Sequence, residues 1–156
     1  MRRKDREITD INDIFSIIEK CDCCRIAFND EKFPYIIPMN FGIGFENNNI
    51  TLYFHCASEG RKLDLIKRNP NVSFEMDCSH KLLTGDVACD YSMEYESVIG
   101  NGVATIVNEN KIHALNYIMN KFSDSEDFSY DENYLKAVTV FKIDVCNVSA
   151  KRLKRK

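Results

Sequence analysis

The feature that most restricts the fold of this chain is a series of short β-rich runs joined by still shorter polar connections. Three such runs lie at residues 24–29, 35–45 and 50–56. Polar, turn-rich segments at 29–33 and 46–49 separate them. Connections of this length and composition are typical of hairpins, so the three runs are predicted to form consecutive antiparallel strands.

Helical patterns surround these strands. The spacing of apolar residues predicts helices at about 9–20, 58–68, 110–122 and 131–136. Thr9 or Asp10 is expected to cap the first helix and Ser58 the second. Asn69-Pro70 is expected to end the second helix, because a residue before proline is disfavoured in helical geometry.

Three further strands bring the predicted total to six. The last three are predicted at 71–78, 92–107 and 138–148. Gly100 and Gly102 indicate a bulge or a close backbone approach, as in a bent barrel strand. Residues 79–91 follow no clear period and are predicted to be a long loop of functional interest. The sequence therefore predicts one α+β barrel domain over 1–156, with a core at about 9–150 and short basic tips.

Composition excludes several classes of function. The formal net charge of −3 provides no field that would attract nucleic acid. No apolar run is long enough for a membrane span or a signal peptide, so a cytoplasmic protein is expected. The seven scattered cysteines are expected to be reduced thiols, and no metal site is predicted because no CxxC or HxxxH spacing occurs. A small-molecule partner is the remaining expectation.

The segment LYFHCASEGRKLDLIKRNP, residues 52–70, carries the most chemical information. It places His55 at the end of a predicted strand. In the first turn of the following helix it places Gly60, Arg61 and Lys62. Free N–H groups, the helix dipole and two basic side chains would attract a phosphate there. Basic residues at a helix start also commonly form a solvated face, so this pattern alone leaves both interpretations open.

Three segments resemble the pyridoxamine 5′-phosphate oxidase-like flavin proteins, and among them the nitroimidazole-resistance type of reductase. They are YIIPMNFG at 35–42, LYFHCASEGRKLDLIKRNPNVSFEM at 52–76 and YESVIGNGVA at 95–104. Their order and spacing match those of the family, and the resemblance extends over nearly the whole chain. It implies a six-stranded antiparallel split β-barrel with peripheral helices that binds FMN at the interface of a homodimer.

The resemblance also implies a set of cofactor contacts. These are Pro38, Met39, Asn40, Phe41, His55, Cys56, Gly60, Arg61, Lys62, Ser97 and Val98. Residues 38–41 would line the edge of the flavin ring, with His55 and Cys56 on the strand beside it. Residues 60–62 would hold the phosphate, and residues 97–98 would reach the ring or ribityl chain from the next strand.

His55 occupies the position of the active-site histidine of the nitroimidazole-resistance proteins, so the resemblance implies a catalytic role. An imidazole there could donate to a substrate oxygen or supply a proton. A histidine at the end of a strand is also often a purely structural hydrogen-bonding residue. The resemblance further implies that a second subunit completes the pocket, with Lys151 and Arg152 as the candidate residues.

One difference from the family restricts the class of substrate that is expected. The oxidases proper bind their substrate with a C-terminal segment that contains tryptophan, and this chain has none. Oxidation of vitamin B6 is therefore not expected. The substrate side of the pocket is expected at residues 79–91, where Leu82, Leu83 and Tyr91 could stack on a flat molecule.

Three functions remain open at this point. The first is an FMN-dependent oxidoreductase that reduces a small electrophile, such as a nitroaromatic, with electrons delivered to its flavin from outside. The second is a non-catalytic carrier or sensor that holds flavin or haem. The third is an interaction protein without a cofactor, which would leave the phosphate-like turn unexplained.

Overall fold

The structure is a computed structural model that describes residues 3–125 and 127–154. Its strands are β1 (Glu7–Ile8), β2 (Cys24–Phe28), β3 (Tyr35–Met39), β4 (Gly42–Glu46), β5 (Asn49–Ala57), β6 (Asn71–Leu83), β7 (Ser92–Ile106) and β8 (Val138–Leu153). Its helices are α1 (Ile11–Lys20), α2 (Arg61–Arg68), α3 (Lys111–Phe122) and α4 (Glu132–Ala137), with 3₁₀ turns at Lys4–Arg6 and Ala88–Asp90. Parts of the predicted basic tips, residues 1–2 and 155–156, lie outside the described residues.

All the described strands join one antiparallel sheet in the order β3-β2-β6-β7-β8-β5-β4, with β1 paired to β8. The two end strands of this order, β3 and β4, are consecutive in the chain and are separated only by Asn40 and Phe41. Such a short connection requires the sheet to curl until its ends approach each other. This geometry confirms the predicted α+β split β-barrel.

The six predicted strands become eight among the described residues. The single strand predicted over 35–45 is wrong, because the chain leaves β3 at Asn40 and starts β4 at Gly42. A Cβ on Gly42 would lie 2.4 Å from the backbone nitrogen of Ile118, so α3 packs directly on the chain at this break. The additional strand β1 has only two residues, too few to show a period.

The loop predicted over 79–91 is wrong for its first five residues. β6 continues to Leu83 beyond a bulge between Cys78 and Lys81, where Ser79 adopts a φ of 59°. The extra residue of a bulge reverses the alternation of inward and outward side chains. This reversal explains why residues 79–83 show no strand period in the sequence.

The glycine prediction for the long strand is confirmed. A register shift falls between Asn101 and Gly102, opposite β8. A Cβ on Gly100 would lie 2.3 Å from the ring of Phe74, so the backbone approaches that ring closely. β8 itself extends five residues beyond the predicted end at 148, through the polar segment that pairs with the start of β7.

Two apolar clusters hold the helices to the sheet. The main cluster packs α1 and α2 against the inner side of the barrel and includes Phe28, Phe41, Phe54, Phe74 and Phe141. The smaller one packs α3 on β8 and consists of Ala114, Leu115, Ile118 and Val140. No helix in the described part of the chain is long and apolar enough to cross a membrane.

Candidate functional site

A cleft of 450 Å³ opens where the two ends of the sheet approach each other, beside the start of α2. We call it the β3–β5 cleft. Its lining consists of Tyr35, Ile37, Pro38, Met39, Asn40, His55, Cys56, Ala57 and Lys62. Six of the predicted cofactor contacts are therefore brought together: Pro38, Met39, Asn40, His55, Cys56 and Lys62.

The turn before α2 presents free backbone N–H groups. The helix begins at Arg61 with Gly60 as N-cap, so the prediction that Ser58 is the cap is wrong. Gly60 has a φ of 140°, which L-residues rarely adopt, and a Cβ there would meet no atom within 4 Å. Side chains of Asp10 and Asp131 cap α1 and α4, whereas no side chain caps α2 or α3. The first N–H groups of α2 thus remain open to an anionic ligand.

The two basic side chains at this turn differ in their partners. Lys62 lines the cleft and makes no hydrogen bond or ion pair with any described residue. The Arg61 guanidinium pairs with Asp30 and lies 5.2 Å from the centre of the Tyr35 ring. Asp30 also accepts a hydrogen bond of 3.0 Å from Arg68. Arg61 therefore approaches a phosphate only by sharing or leaving Asp30, a contact across 31 positions that local patterns do not reveal.

His55 and Cys56 give the cleft its chemical character. His55 is exposed and its imidazole makes no hydrogen bond with the described residues, so the ring is available to a ligand. Burial raises the pKa of the half-buried Cys56 thiol, and the positive charge of Lys62 offsets only part of that rise. The thiol is therefore neutral near pH 7 and provides an uncharged wall, not a nucleophile.

Two of the expected cofactor contacts, Phe41 and Val98, have side chains that do not line the cleft. Both are fully buried in the main core. The Phe41 ring packs 6.3 Å from that of Phe54, and the Lys121 ammonium lies 4.5 Å from its centre. Any contact of these two residues with a ligand is left to their backbone atoms.

Ser97 lies in a different part of the molecule. β8 separates β7 from β5, so β7 is not the next strand, contrary to expectation. Because neighbours along a strand point to opposite faces, buried Val98 places Ser97 on the outer face of the barrel. Ser97 pairs there with Lys151, whereas the Arg152 side chain points inward to Glu96.

Arg152 belongs to a buried charged cluster, which we call the Glu96 cluster. Glu96 is fully buried and accepts hydrogen bonds from Lys20 at 2.9 Å, Ser79 at 2.9 Å and Arg152 at 2.5 Å. Lys154 lies 3.9 Å away. Burial alone raises the pKa of Glu96, but the hydrogen bonds from Lys20, Ser79 and Arg152 outweigh it and lower the pKa to about 2. The cluster joins α1 and the end of β8 to β7.

The residues expected on the substrate side are also elsewhere. Leu82 and Leu83 lie at the end of β6, and Tyr91 directly precedes β7. As far as the described residues define it, the lining of the β3–β5 cleft includes none of the three.

Comparisons with known proteins agree with this fold. A family model described as pyridoxamine 5′-phosphate oxidase matches residues 10–152. The crystal structure of a proposed 5-nitroimidazole antibiotic resistance protein from Bacteroides thetaiotaomicron is 36% identical, with a TM-score of 0.79 over 93% of this chain and 85% of that one. No curated protein matches the chain.

Two more distant structures share the fold. The flavocytochrome Anf3 of Azotobacter vinelandii is 15% identical, with a TM-score of 0.82 over 99% of this chain and 72% of that one. A FAD and haem binding protein of Mycobacterium smegmatis is 14% identical, with a TM-score of 0.83 over 96% of this chain and 74% of that one.

Proposed function

This chain belongs to the pyridoxamine 5′-phosphate oxidase family, and from that premise we propose that it binds flavin mononucleotide in the β3–β5 cleft. One observation carries the proposal. An uncapped helix N-terminus, a glycine that faces open space and the unpaired Lys62 meet at one end of the cleft. Backbone N–H groups and a cation at a helix start are the donors that a terminal phosphate prefers.

The rest of the cleft fits the remainder of such a cofactor. With the phosphate at α2, the ring would lie against residues 38–40 of the first wall and His55 and Cys56 of the second. The neutral thiol of Cys56 and the apolar part of Met39 suit an aromatic ring system. A bound flavin supplies hydride-transfer chemistry, and the protein positions it.

We infer that a second copy of the chain completes this site. Ser97 and Lys151 occupy the outer face of the central strands, away from the cleft, so a single ligand would contact both sets only across an interface. Ile99, on the same face, exposes 54% of its surface and would be covered there. A two-fold axis would place the outer face of each copy over the cleft of the other.

The oligomeric state tests this inference. Light scattering is expected to show a dimer for the wild type and a monomer with weakened flavin binding for Ile99→Lys. The matched control is Ile112→Lys, since Ile112 is 48% exposed on α3. A monomeric wild type that binds flavin fully would contradict the inference.

The reaction that this site supports best is reduction of a small electrophile such as a nitroaromatic compound. Conversion of a nitro group to a nitroso group and water consumes two electrons and two protons; a bound flavin, reduced by an external donor, would supply the electrons. His55 is the candidate proton donor, because this exposed residue lines the cleft and its imidazole has no hydrogen-bond partner among the described residues. The 36% identity to the Bacteroides protein of nitroimidazole resistance supports the same class of acceptor.

Turnover by His55→Ala tests this role. The variant is expected to retain flavin and to lose activity with a nitroaromatic acceptor about 100-fold, as is typical when a general acid is removed. His113→Ala is the matched control, since His113 packs on Tyr117 at 5.1 Å and lies outside the cleft. Undiminished turnover would remove His55 from the mechanism. A Soret band in the purified protein would instead favour the haem alternative.

A further inference from the structure

A second, apolar cleft lies on the other side of His55. It has a volume of 210 Å³ and is formed by α3, α4 and the ends of β5 and β8. We call it the α3–α4 cleft. Its walls include Leu115 and Met119 of α3, Tyr134 and Leu135 of α4, and Tyr130. His55 lines both clefts, so whatever occupies this one lies next to the proposed flavin site.

The α3–α4 cleft is held open by specific contacts. A helix of six residues such as α4 has little stability of its own. The Tyr130 hydroxyl donates a hydrogen bond of 2.8 Å to Asn116 of α3 and fixes the loop before α4. The Lys111 ammonium donates to the carbonyls of Leu135 at 2.7 Å and Val138 at 2.6 Å, at the other end of α4. The cleft is thus preformed, which lowers the cost of ligand binding.

Its size and lining select a class of ligand. An aliphatic cavity of roughly 150 Å³ holds one benzene molecule, so this cleft has room for one substituted ring. Two tyrosine rings and the thioether of Met119 favour an aromatic occupant. The one carboxylate of the lining, Asp131, already accepts hydrogen bonds from the first turn of α4. An uncharged ligand is therefore favoured.

We propose that the α3–α4 cleft binds the ring of the aromatic electron acceptor, with its polar substituent directed toward His55. This inference rests on the proposed function, because it assigns a substrate site to that reaction. It also replaces the expectation that Leu82, Leu83 and Tyr91 form the substrate side, since the described lining contains none of them.

Binding of 4-fluoronitrobenzene to the flavin-free protein, followed by ¹⁹F NMR, tests the proposal without turnover. The wild type is expected to bind this probe. It should bind 4-fluorobenzoate about tenfold more weakly or worse, because an apolar cleft does not solvate a carboxylate. Equal binding of the two probes would overturn the assigned ligand class.

Substitutions locate the binding site. Met119→Trp is expected to weaken probe binding about tenfold by filling the cleft, and Tyr134→Ala about threefold by removing a wall. The matched control is Phe122→Trp, on the same helix but outside the lining. It should bind like the wild type. Tyr134 is 77% exposed, so its variant remains informative if Met119→Trp does not fold.

The outcomes separate this inference from the proposed function. Probe binding that is unchanged in a folded Met119→Trp variant and in Tyr134→Ala would overturn the proposal, as would absence of binding to the wild type. A flavin titration of the same samples is independent of both results. Flavin binding without probe binding would overturn only the proposed acceptor site in the α3–α4 cleft. Probe binding without flavin binding would support that site and overturn the proposed reductase function.

Discussion

Basic side chains gather at two places in this molecule and are arranged in opposite ways. In the Glu96 cluster, Lys20, Arg152 and Lys154 converge on one fully buried carboxylate. At the start of α2, Lys62 has no acidic partner among the described residues, and no side chain caps the helix. In the first arrangement every cation already has a carboxylate partner, whereas in the second a bound anion would supply the missing partner. The difference indicates a structural role for one and a binding role for the other.

The largest expected effect on stability comes from removing the buried carboxylate. Glu96→Gln is expected to lower the free energy of unfolding by about 2 kcal/mol, because it leaves the cations without a counter-charge. The value is below the usual cost of breaking a buried pair, since Lys20 and Arg152 retain 46% and 27% exposure. Urea denaturation measures it.

A surface pair provides the control for that experiment. Glu75 pairs with Arg25 at 3.0 Å, with exposures of 37% and 46%. Glu75→Gln is expected to cost less than about 1 kcal/mol. If Glu96→Gln and Glu75→Gln lower the free energy of unfolding equally, the Glu96 cluster has no special structural role. The contrast between this cluster and the start of α2 would then be wrong.

The pH dependence of stability sharpens the same contrast. Interactions in the folded protein lower the pKa of Glu96 from the ordinary value of 4.5 to about 2. A carboxylate with a lowered pKa stabilises the fold at pH values above its unfolded pKa, and this contribution is lost as pH falls through the folded pKa. The wild type should therefore lose its advantage over Glu96→Gln between these two values.

Urea denaturation of both proteins near neutral pH and at about pH 3 measures this change. The stability difference should shrink at the lower pH. A constant difference would show that the charge of Glu96 is not what stabilises the fold.

A smaller effect, on ligand affinity, is expected at Asp30. This carboxylate pairs with Arg61 beside the otherwise unpartnered start of α2 and would compete with a bound phosphate for that guanidinium. Asp30→Asn is therefore expected to tighten FMN binding about threefold and to leave riboflavin binding unchanged. Flavin fluorescence titrations at low salt measure both. Glu31→Gln is the control, because Glu31 is 88% exposed and lies 4.0 Å from Arg68. Weaker FMN binding by Asp30→Asn would mean that Asp30 positions Arg61 and does not compete for it.

Much of the fold could be predicted because its determinants are local. A polar cap and apolar spacing locate α1, apolar spacing locates α3, and Gly100 and Gly102 mark the bend in β7. The errors arise where packing between segments that are distant in the chain determines where a strand ends or bulges. The chain breaks between β3 and β4 at Asn40, where α3 packs against the backbone of Gly42. The bulge at Ser79 reverses the alternation of inward and outward side chains along β6.

In the candidate site, too, some residues could be predicted from the sequence, and contacts between distant segments could not. The resemblance to the family predicted residues 38–40 and 55–56 together, and the structure brings them to one cleft, at the end of β3 and on β5. The Asp30 contact and the α3–α4 cleft could not be found, since Asp30 and Tyr134 are far from Arg61 and His55 in the chain. The sequence signals for the second cleft are Leu115 and Met119, which lie four positions apart on α3, and the tyrosines at 130 and 134.

The measurement that tests the account most directly compares the affinities of FMN and riboflavin for the stripped protein, since the two ligands differ only in the phosphate. The wild type is expected to prefer FMN about 100-fold, and Arg61→Ala/Lys62→Ala is expected to lose most of that preference. Lys67→Ala, at the other end of α2, should keep it. Equal affinity of the wild type for both ligands, or a preference that survives the double substitution, would contradict a phosphate site at the start of α2.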